Sequence, residues 1–193
     1  MTAIEGAPVR PLPAHAQKVF TGKIFEVWQW EQELYDETTA VFERIKRPDY
    51  AYVIGVLRDQ RIMLVRDEQP DREAVLTPAG GKVEPGEAPQ DAAAREFLEE
   101  TGYAAETLVP WYSYRPSGKI EFVTHAFVGR NVTHTQAPEL EGGERVEPVM
   151  YTFDEFLALG QDEELRDLRL RIKLLTAQID SVARAALEEI LYG

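Results

Sequence analysis

Three glutamates, Glu96, Glu99 and Glu100, stand three and four residues apart in the segment GGKVEPGEAPQDAAAREFLEETGY, residues 80–103. At about 100° per residue, a helix through this segment places all three on one face, with Ala93, Ala94, Phe97, Leu98 and Thr101 opposite. Like charges at this spacing repel by about 0.2–0.5 kcal/mol per pair unless something neutralises them. A hard divalent cation is the natural neutraliser, since Mg²⁺ prefers oxygen ligands and usually binds through one or two carboxylates together with the phosphates of a substrate. A cation so held would sit beside the phosphates of a ligand and offset their charge. Just upstream, Gly80-Gly81 and then Gly86 read as glycine-rich turns where backbone can approach a ligand closely and offer a carbonyl oxygen.

The elements that must position these groups are legible around them. A helix is predicted from Pro89 to Thr101, with proline in its first turn, Asp91 beside it and Gly102 just past its end. AYVIGVL and RIMLV read as a buried hairpin about Arg58-Asp59-Gln60, and AVLT as a strand running into a break at Pro78-Ala79-Gly80-Gly81. Further strands are expected at about Leu108–Tyr114, Ile120–Val128 and Val149–Thr152. The polar stretch NVTHTQAPELEGGERVEP, residues 131–148, is expected to be a loop, and loops of that length are often functional. A short helix is expected from Asp154, and one amphipathic stretch, free of Gly and Pro, runs from Asp162 to Leu191. Three divisions result. Residues 1–17, with Pro8, Pro11 and Pro13, read as a flexible or polyproline-like lead-in. Residues 18–47 hold two or three short strands of a small antiparallel sheet, and residues 48–193 form the main domain with C-terminal helices.

Composition narrows the function. The 193 residues carry 21 Lys+Arg against 34 Asp+Glu, a net charge of −13, which argues against the usual basic nucleic-acid surface. Such a chain would repel a phosphorylated substrate, unless cations held on the acidic helix invert the local field. The absence of cysteine excludes disulfides, cysteine-bound zinc and a thiol nucleophile. The serines lack a nucleophile-elbow context, and His125 reads as a strand histidine. No run approaches the roughly 18 apolar residues of a membrane span, and the N-terminus lacks a secretory core, so a cytoplasmic protein without membrane or nucleic-acid partners is expected.

The segment also fits the pattern G-x5-E-x7-R-E-U-x-E-E-x-G-U, where U is a bulky apolar residue, at Gly81, Glu87, Arg95, Glu96, Phe97, Glu99, Glu100, Gly102 and Tyr103. This pattern is the Nudix box, and the chain resembles the Nudix hydrolases, which cleave a nucleoside diphosphate linked to another moiety. The resemblance implies an α/β/α sandwich with a mixed sheet, here preceded by the small N-terminal antiparallel sheet. It implies Mg²⁺ or Mn²⁺ held by Glu96, Glu99, Glu100 and the Gly80 carbonyl, with Glu87 and Arg95 bracing the loop against the helix. From about Val19 to Asp180 the chain looks most like the branch that hydrolyses ADP-ribose and other nucleoside-diphosphate sugars, and ADP-ribose would give AMP and ribose 5-phosphate. In that branch the N-terminal sheet is exchanged in a homodimer, Pro-Ala-Gly precedes the box, a proline lies about where Pro116 stands, and a loop glutamate often acts as base. Glu144, beside Gly142-Gly143, is favoured over Glu139, Glu141 and Glu147, and Glu99, Glu100 and Glu144 form the expected catalytic set. Arg44, Arg66 and Trp28 are the expected substrate contacts, Trp28 and Trp30 being also candidates for dimer packing. The chain departs from the branch at Asp67-Glu68-Gln69-Pro70, where a Gln-aromatic-Arg type of sequence is commoner. Its Gly80-Gly81 doublet also occurs in branches acting on nucleoside triphosphates. The alternatives are therefore a housecleaning hydrolase of triphosphates or dinucleoside polyphosphates, and a non-catalytic nucleotide-sugar sensor.

Overall fold

A computed structural model describes residues 4–6, 10–116, 118–140 and 142–193. The lead-in contributes a two-residue strand, β1 (Ile4–Glu5). Next come β2 (Gln17–Thr21), β3 (Glu26–Glu33) and β4 (Thr39–Lys46), then the core strands β5 (Tyr50–Leu57) and β6 (Ile62–Gln69). After β7 (Arg72–Thr77) and β8 (Ala79–Lys82) comes the helix α1 (Pro89–Thr101), followed by β9 (Tyr103–Ala104), β10 (Thr107–Tyr114), β11 (Ile120–Glu121), β12 (Thr124–His134) and β13 (Arg145–Tyr151). Three helices close the chain: α2 (Phe153–Ala158), α3 (Leu168–Ile179) and α4 (Ser181–Tyr192).

The main sheet runs β1-β10-β12-β5-β6-β13, with β8 on β5, β7 on β6 and β9 on β12; β5–β12 and β1–β10 are parallel, so the sheet is mixed. Its central strands are apolar on both faces, which is why they read as continuous hydrophobic runs. Tyr52, Ile54, Ile62 and Leu64 point into a core closed by α2, α3 and α4, while Ala51, Val53, Met63 and Val65 point into a second core closed by α1. The result is an α/β/α sandwich. The small sheet, β11-β4-β3-β2, is separate. It leaves Val19, Phe20 and Val41 more than half exposed.

Several boundaries differ from the sequence reading, each for a physical reason. Gly80 and Gly81 are not in a turn but in β8, paired with Tyr52 and Ala51 of β5. The polar stretch 131–148 is strand at both ends: β12 continues to His134 and β13 begins at Arg145, because both find partners in the sheet, and the loop shrinks to 135–144. The segment Ile120–Val128 divides between the two sheets, β11 pairing with β4 and β12 with β5. The C-terminal amphipathic stretch breaks at Asp180, which takes an extended conformation and caps α4 by accepting from the Val182 and Ala183 N–H groups. On α1 the buried positions are Ala92, Ala93, Phe97 and Thr101, and Ala94 is exposed. Pro8, in the lead-in, lies outside the described residues.

Candidate active site

The acidic face of α1 lies directly on the backbone of β8. A Cβ at Gly81 would stand 2.3 Å from Cδ of Glu96, and a Cβ at Gly80 would stand 2.3 Å from the Ala51 carbonyl oxygen and 2.5 Å from Cα of Tyr52. Glycine at both places is what lets the strand pass beneath the helix carboxylates; neither residue has a positive φ. The Gly80 N–H donates to Oε2 of Glu100 at 2.9 Å, and the Gly80 carbonyl accepts from the Tyr50 hydroxyl at 2.5 Å.

Arg95 supplies the positive charge within this cluster. It forms a bidentate pair with Glu87, both bonds 3.0 Å, and its Nη1 reaches Glu96 at 2.8 Å and Glu99 at 3.1 Å. Its Nη2 also donates to the Lys82 carbonyl, so the chain entering α1 is clamped to the helix. The bonds from Arg95 hold the Glu87 carboxyl below the usual carboxylate range. Glu100 behaves oppositely. Its burial pushes its pKa up to about 8, against the Gly80 N–H bond that favours the charged form, and the negative charges of Glu96, Asp67 and Glu144 push the same way. Burial also raises the Tyr50 hydroxyl, with Glu100 and Glu96 adding to the effect, so Tyr50 remains a donor.

The loop 135–144 is tied to the C-terminal end of α1. Gly102 takes a left-handed conformation, φ 74°, and its carbonyl accepts from the Thr135 and Gln136 N–H groups, while the Glu139 N–H donates to the Glu99 carbonyl at 2.7 Å. At the loop's far end, Glu144 accepts from Nε2 of Gln69, which also donates to Asp67; Arg72 completes the chain with a 2.6 Å bond to Asp67. Glu144 therefore lies where its charge acts on Glu100.

The sequence-predicted residues divide accordingly. Glu96, Glu99, Glu100, Gly80 and Glu144 are brought together. Arg66 is not: it pairs with Glu164, and its neighbours Leu64 and Val65 show that it shares the α2–α4 face of the sheet rather than the α1 face. Glu147 sits opposite Arg66 in the β6–β13 register and is turned the same way. Trp28 and Arg44 face each other across β3 and β4, and their contacts stay within the small sheet, its paired strand β11 and the lead-in: Trp28 donates to Glu26, and Arg44 to Glu121 and the Arg10 carbonyl. Glu139 is at the rim, accepting from Gln136, and Glu141 lies outside the described residues. Sequence reasoning missed Asp67, Gln69 and Tyr50. The alternation Met63, Val65, Asp67 along β6 carried the signal for Asp67, since it continues the α1 face.

Among the described residues no three acidic or histidine side chains converge at metal-ligand spacing, because Arg95 draws Glu96 and Glu99 while the Gly80 N–H draws Glu100. The donor set is nevertheless all oxygen. Burial first, and then the charges of Glu96, Asp67 and Glu144, raise the pKa of Glu100, and a divalent cation would offset both by favouring the ionised carboxylate. The residues present fit a hard divalent cation.

Comparison with known proteins places this geometry. The NUDIX domain model matches residues 46–171. The chain is 26% identical over 172 residues to an ADP-ribose pyrophosphatase of Bacillus subtilis (strain 168), covering 88% of this chain and 93% of that protein. It is 25% identical over 171 residues to a methanol dehydrogenase activator of Bacillus methanolicus, covering 87% and 92%. It shares the fold of a crystal structure described as an ADP compounds hydrolase, with a TM-score of 0.70 at 19% identity, over 90% of this chain and 96% of that one. With its box on a strand-loop-helix that gathers the acidic residues, and with the family's domain over well more than half its length, the chain belongs to the Nudix family.

Proposed function

We propose that the protein hydrolyses the pyrophosphate bond of a nucleoside diphosphate linked to a sugar, with ADP-ribose as the substrate and AMP and ribose 5-phosphate as products. The observation that carries this reading is the seating of Glu96 and Glu100 on the β8 backbone, with Glu99 joined to Glu96 through Arg95 and the Glu144 loop hydrogen-bonded to the end of the same helix. The ADP-ribose pyrophosphatase, aligned over nearly its whole length, supports the choice of substrate.

Glu96, Glu99, Glu100 and the Gly80 carbonyl would hold Mg²⁺ or Mn²⁺, which when bound offsets phosphate charge and makes a water more acidic. Arg95 has alternative bonds to Glu87 and the Lys82 carbonyl, so it can release Glu96 and Glu99 without losing its own partners. Tyr50 fixes the direction of the Gly80 carbonyl, leaving its second lone pair available. Glu144, on the flexible Gly142-Gly143 turn, takes the proton of the attacking water at its carboxylate oxygen, with Gln69 holding the other side of that carboxylate. The water oxygen bonds to phosphorus as the bridging P–O bond breaks, and the second phosphate leaves with the electron pair.

A homodimer through the small sheet is part of this proposal. The exposed Val19, Phe20 and Val41 need a cover, and a partner seated there would lie against the sheet that carries Trp28 and Arg44. A cytoplasmic location accords with the lack, among the described residues, of a helix long and apolar enough to cross a membrane.

The test is a mass-spectrometric product assay with ADP-ribose, GDP-mannose, UDP-glucose, diadenosine polyphosphates and dNTPs, each with Mg²⁺ and with EDTA. Metal-dependent AMP from ADP-ribose is expected. Preferential hydrolysis of dNTPs would overturn the substrate, and tight binding without turnover would favour a sensor.

A further inference from the structure

On the face of the sheet opposite the α1 glutamates, β10, α3 and α4 flank an open cavity of about 320 Å³ lined by residues that include Trp111, Arg169, Ile172, Lys173, Thr176 and Leu187. That is within the size range of small-molecule sites, roughly 300–1,000 Å³. Its chemistry is unlike the rest of this acidic protein. Arg169 and Lys173 lie one helical turn apart on α3, a helix whose charged residues are all basic. Two cations so placed repel each other unless an anion lies between them.

One carboxylate serves both. Glu5 of β1 bonds to Arg169 and, at 3.1 Å, to Lys173. Burial opposes its ionisation, but these two partners outweigh that and hold its carboxyl below the usual range. The single negative charge does not exhaust the site: Nε of Arg169 is buried and has no hydrogen-bond partner among the described residues. Lys173 also lies over two aromatic rings, 4.3 Å from the centre of Tyr112 and 5.9 Å from that of Trp111. The cavity thus presents a doubly cationic wall next to a flat indole.

The segment that brings Glu5 here is lightly held. Among the described residues β1 has two, paired at Ser113 and Tyr114 on the edge of the sheet, with a further bond from the Arg115 N–H to the Glu5 carbonyl. So short an edge strand opens at little cost. Glu5 has the position of a tethered anion that a better one can replace, and a phosphate dianion suits two cations better than a carboxylate does.

We propose that this cavity is a second ligand site, for a phosphate monoester bearing a flat ring, that is, a nucleoside monophosphate. Arg169 and Lys173 take the phosphate, Trp111 stacks on the ring, and Glu5 is the built-in competitor. The proposal is independent of which bond the α1 glutamates hydrolyse.

Equilibrium dialysis with labelled AMP and with labelled inorganic phosphate, in EDTA, tests it on the full chain. Each charge-assisted bond lost or competitor removed is worth about tenfold or more in affinity. Lys173→Ala should therefore weaken AMP binding about tenfold and Glu5→Gln strengthen it by a similar factor, in both cases with hydrolysis at the α1 site unchanged. Trp111→Ala should weaken AMP but not inorganic phosphate. Equal AMP affinity in the wild type, Lys173→Ala and Glu5→Gln, or no binding by any of them, would overturn the site. Equal affinity for AMP and inorganic phosphate would overturn the ring assignment. If Glu5→Gln lowers thermal stability and leaves AMP binding as it was, Glu5 is a structural tether and the proposal fails.

Discussion

Gly81→Ala isolates the contact on which the metal-site reading depends. The new Cβ would stand 2.3 Å from Cδ of Glu96 and 2.4–2.5 Å from its two carboxylate oxygens. Ordinary contact begins at about 3.5 Å, so the carboxylate must retreat by about 1 Å. The atoms that move are the far end of a side chain, and Gly81 has no positive φ to strain, so the fold should tolerate the change with Tm shifted by about 4 °C or less. A displacement of about 1 Å at a reacting centre costs on the order of 10²-fold in rate. We therefore expect kcat/KM for ADP-ribose to fall about 100-fold, with a matching loss of Mn²⁺ affinity and the circular dichroism spectrum unchanged. Gly80→Ala supplies the contrast. There the Cβ meets the Ala51 carbonyl and Cα of Tyr52, backbone that cannot yield, and the expected result is loss of soluble protein. A Gly81→Ala protein with wild-type kcat/KM and wild-type Mn²⁺ affinity would refute the reasoning.

Glu144→Gln keeps the Gln69 contact while removing the base, so kcat should drop by roughly 10²–10⁴-fold with KM little changed; near wild-type kcat removes Glu144 from the mechanism. The raised pKa of Glu100 fixes two pH trends. In metal-free protein the folded state binds more protons than the unfolded state between its ordinary pKa and about 8, so stability is highest below that window and declines across it as pH rises, and Glu100→Gln should flatten the decline in Tm. Calorimetry of Mn²⁺ binding should show proton uptake by buffer at pH 7 that fades above pH 8 to 9, and a pH-independent heat across that range would contradict the assignment. Removing residues 1–47 should give a monomer or an insoluble product in sedimentation, and a soluble, fully active monomer would end the dimer proposal.

The helix that carries the site was legible in sequence to the residue, because Pro89 and Gly102 are local signals that need no tertiary context. The two faces of β5 and β6 were equally plain, since a strand buried on both sides must be apolar throughout. What was not legible depends on pairing. Gly80-Gly81 looks like a turn until β5 is found beside it and Glu96 above it, and the reason for both glycines is then close approach rather than a bend. Asn131, Thr133 and His134 are polar and exposed while still in β12, with Val132 between them turned into the core. Asp180 ends a helix by capping the next, a role its sequence neighbours do not announce. At the site, Arg66 and Asp67 are adjacent in sequence and on opposite faces of β6, so a one-residue difference decided that the arginine faces Glu164 and the aspartate faces the glutamates.

The central claim is that the α1 carboxylates form one divalent-cation site. Titration of Mn²⁺ into the full chain, with free metal read by electron paramagnetic resonance, tests it without reference to any substrate. Wild-type protein should deplete the free Mn²⁺ signal, and Glu96→Gln, Glu99→Gln and Glu100→Gln should each weaken that depletion by about tenfold or more. Undiminished Mn²⁺ binding in a protein carrying all three substitutions would contradict the account.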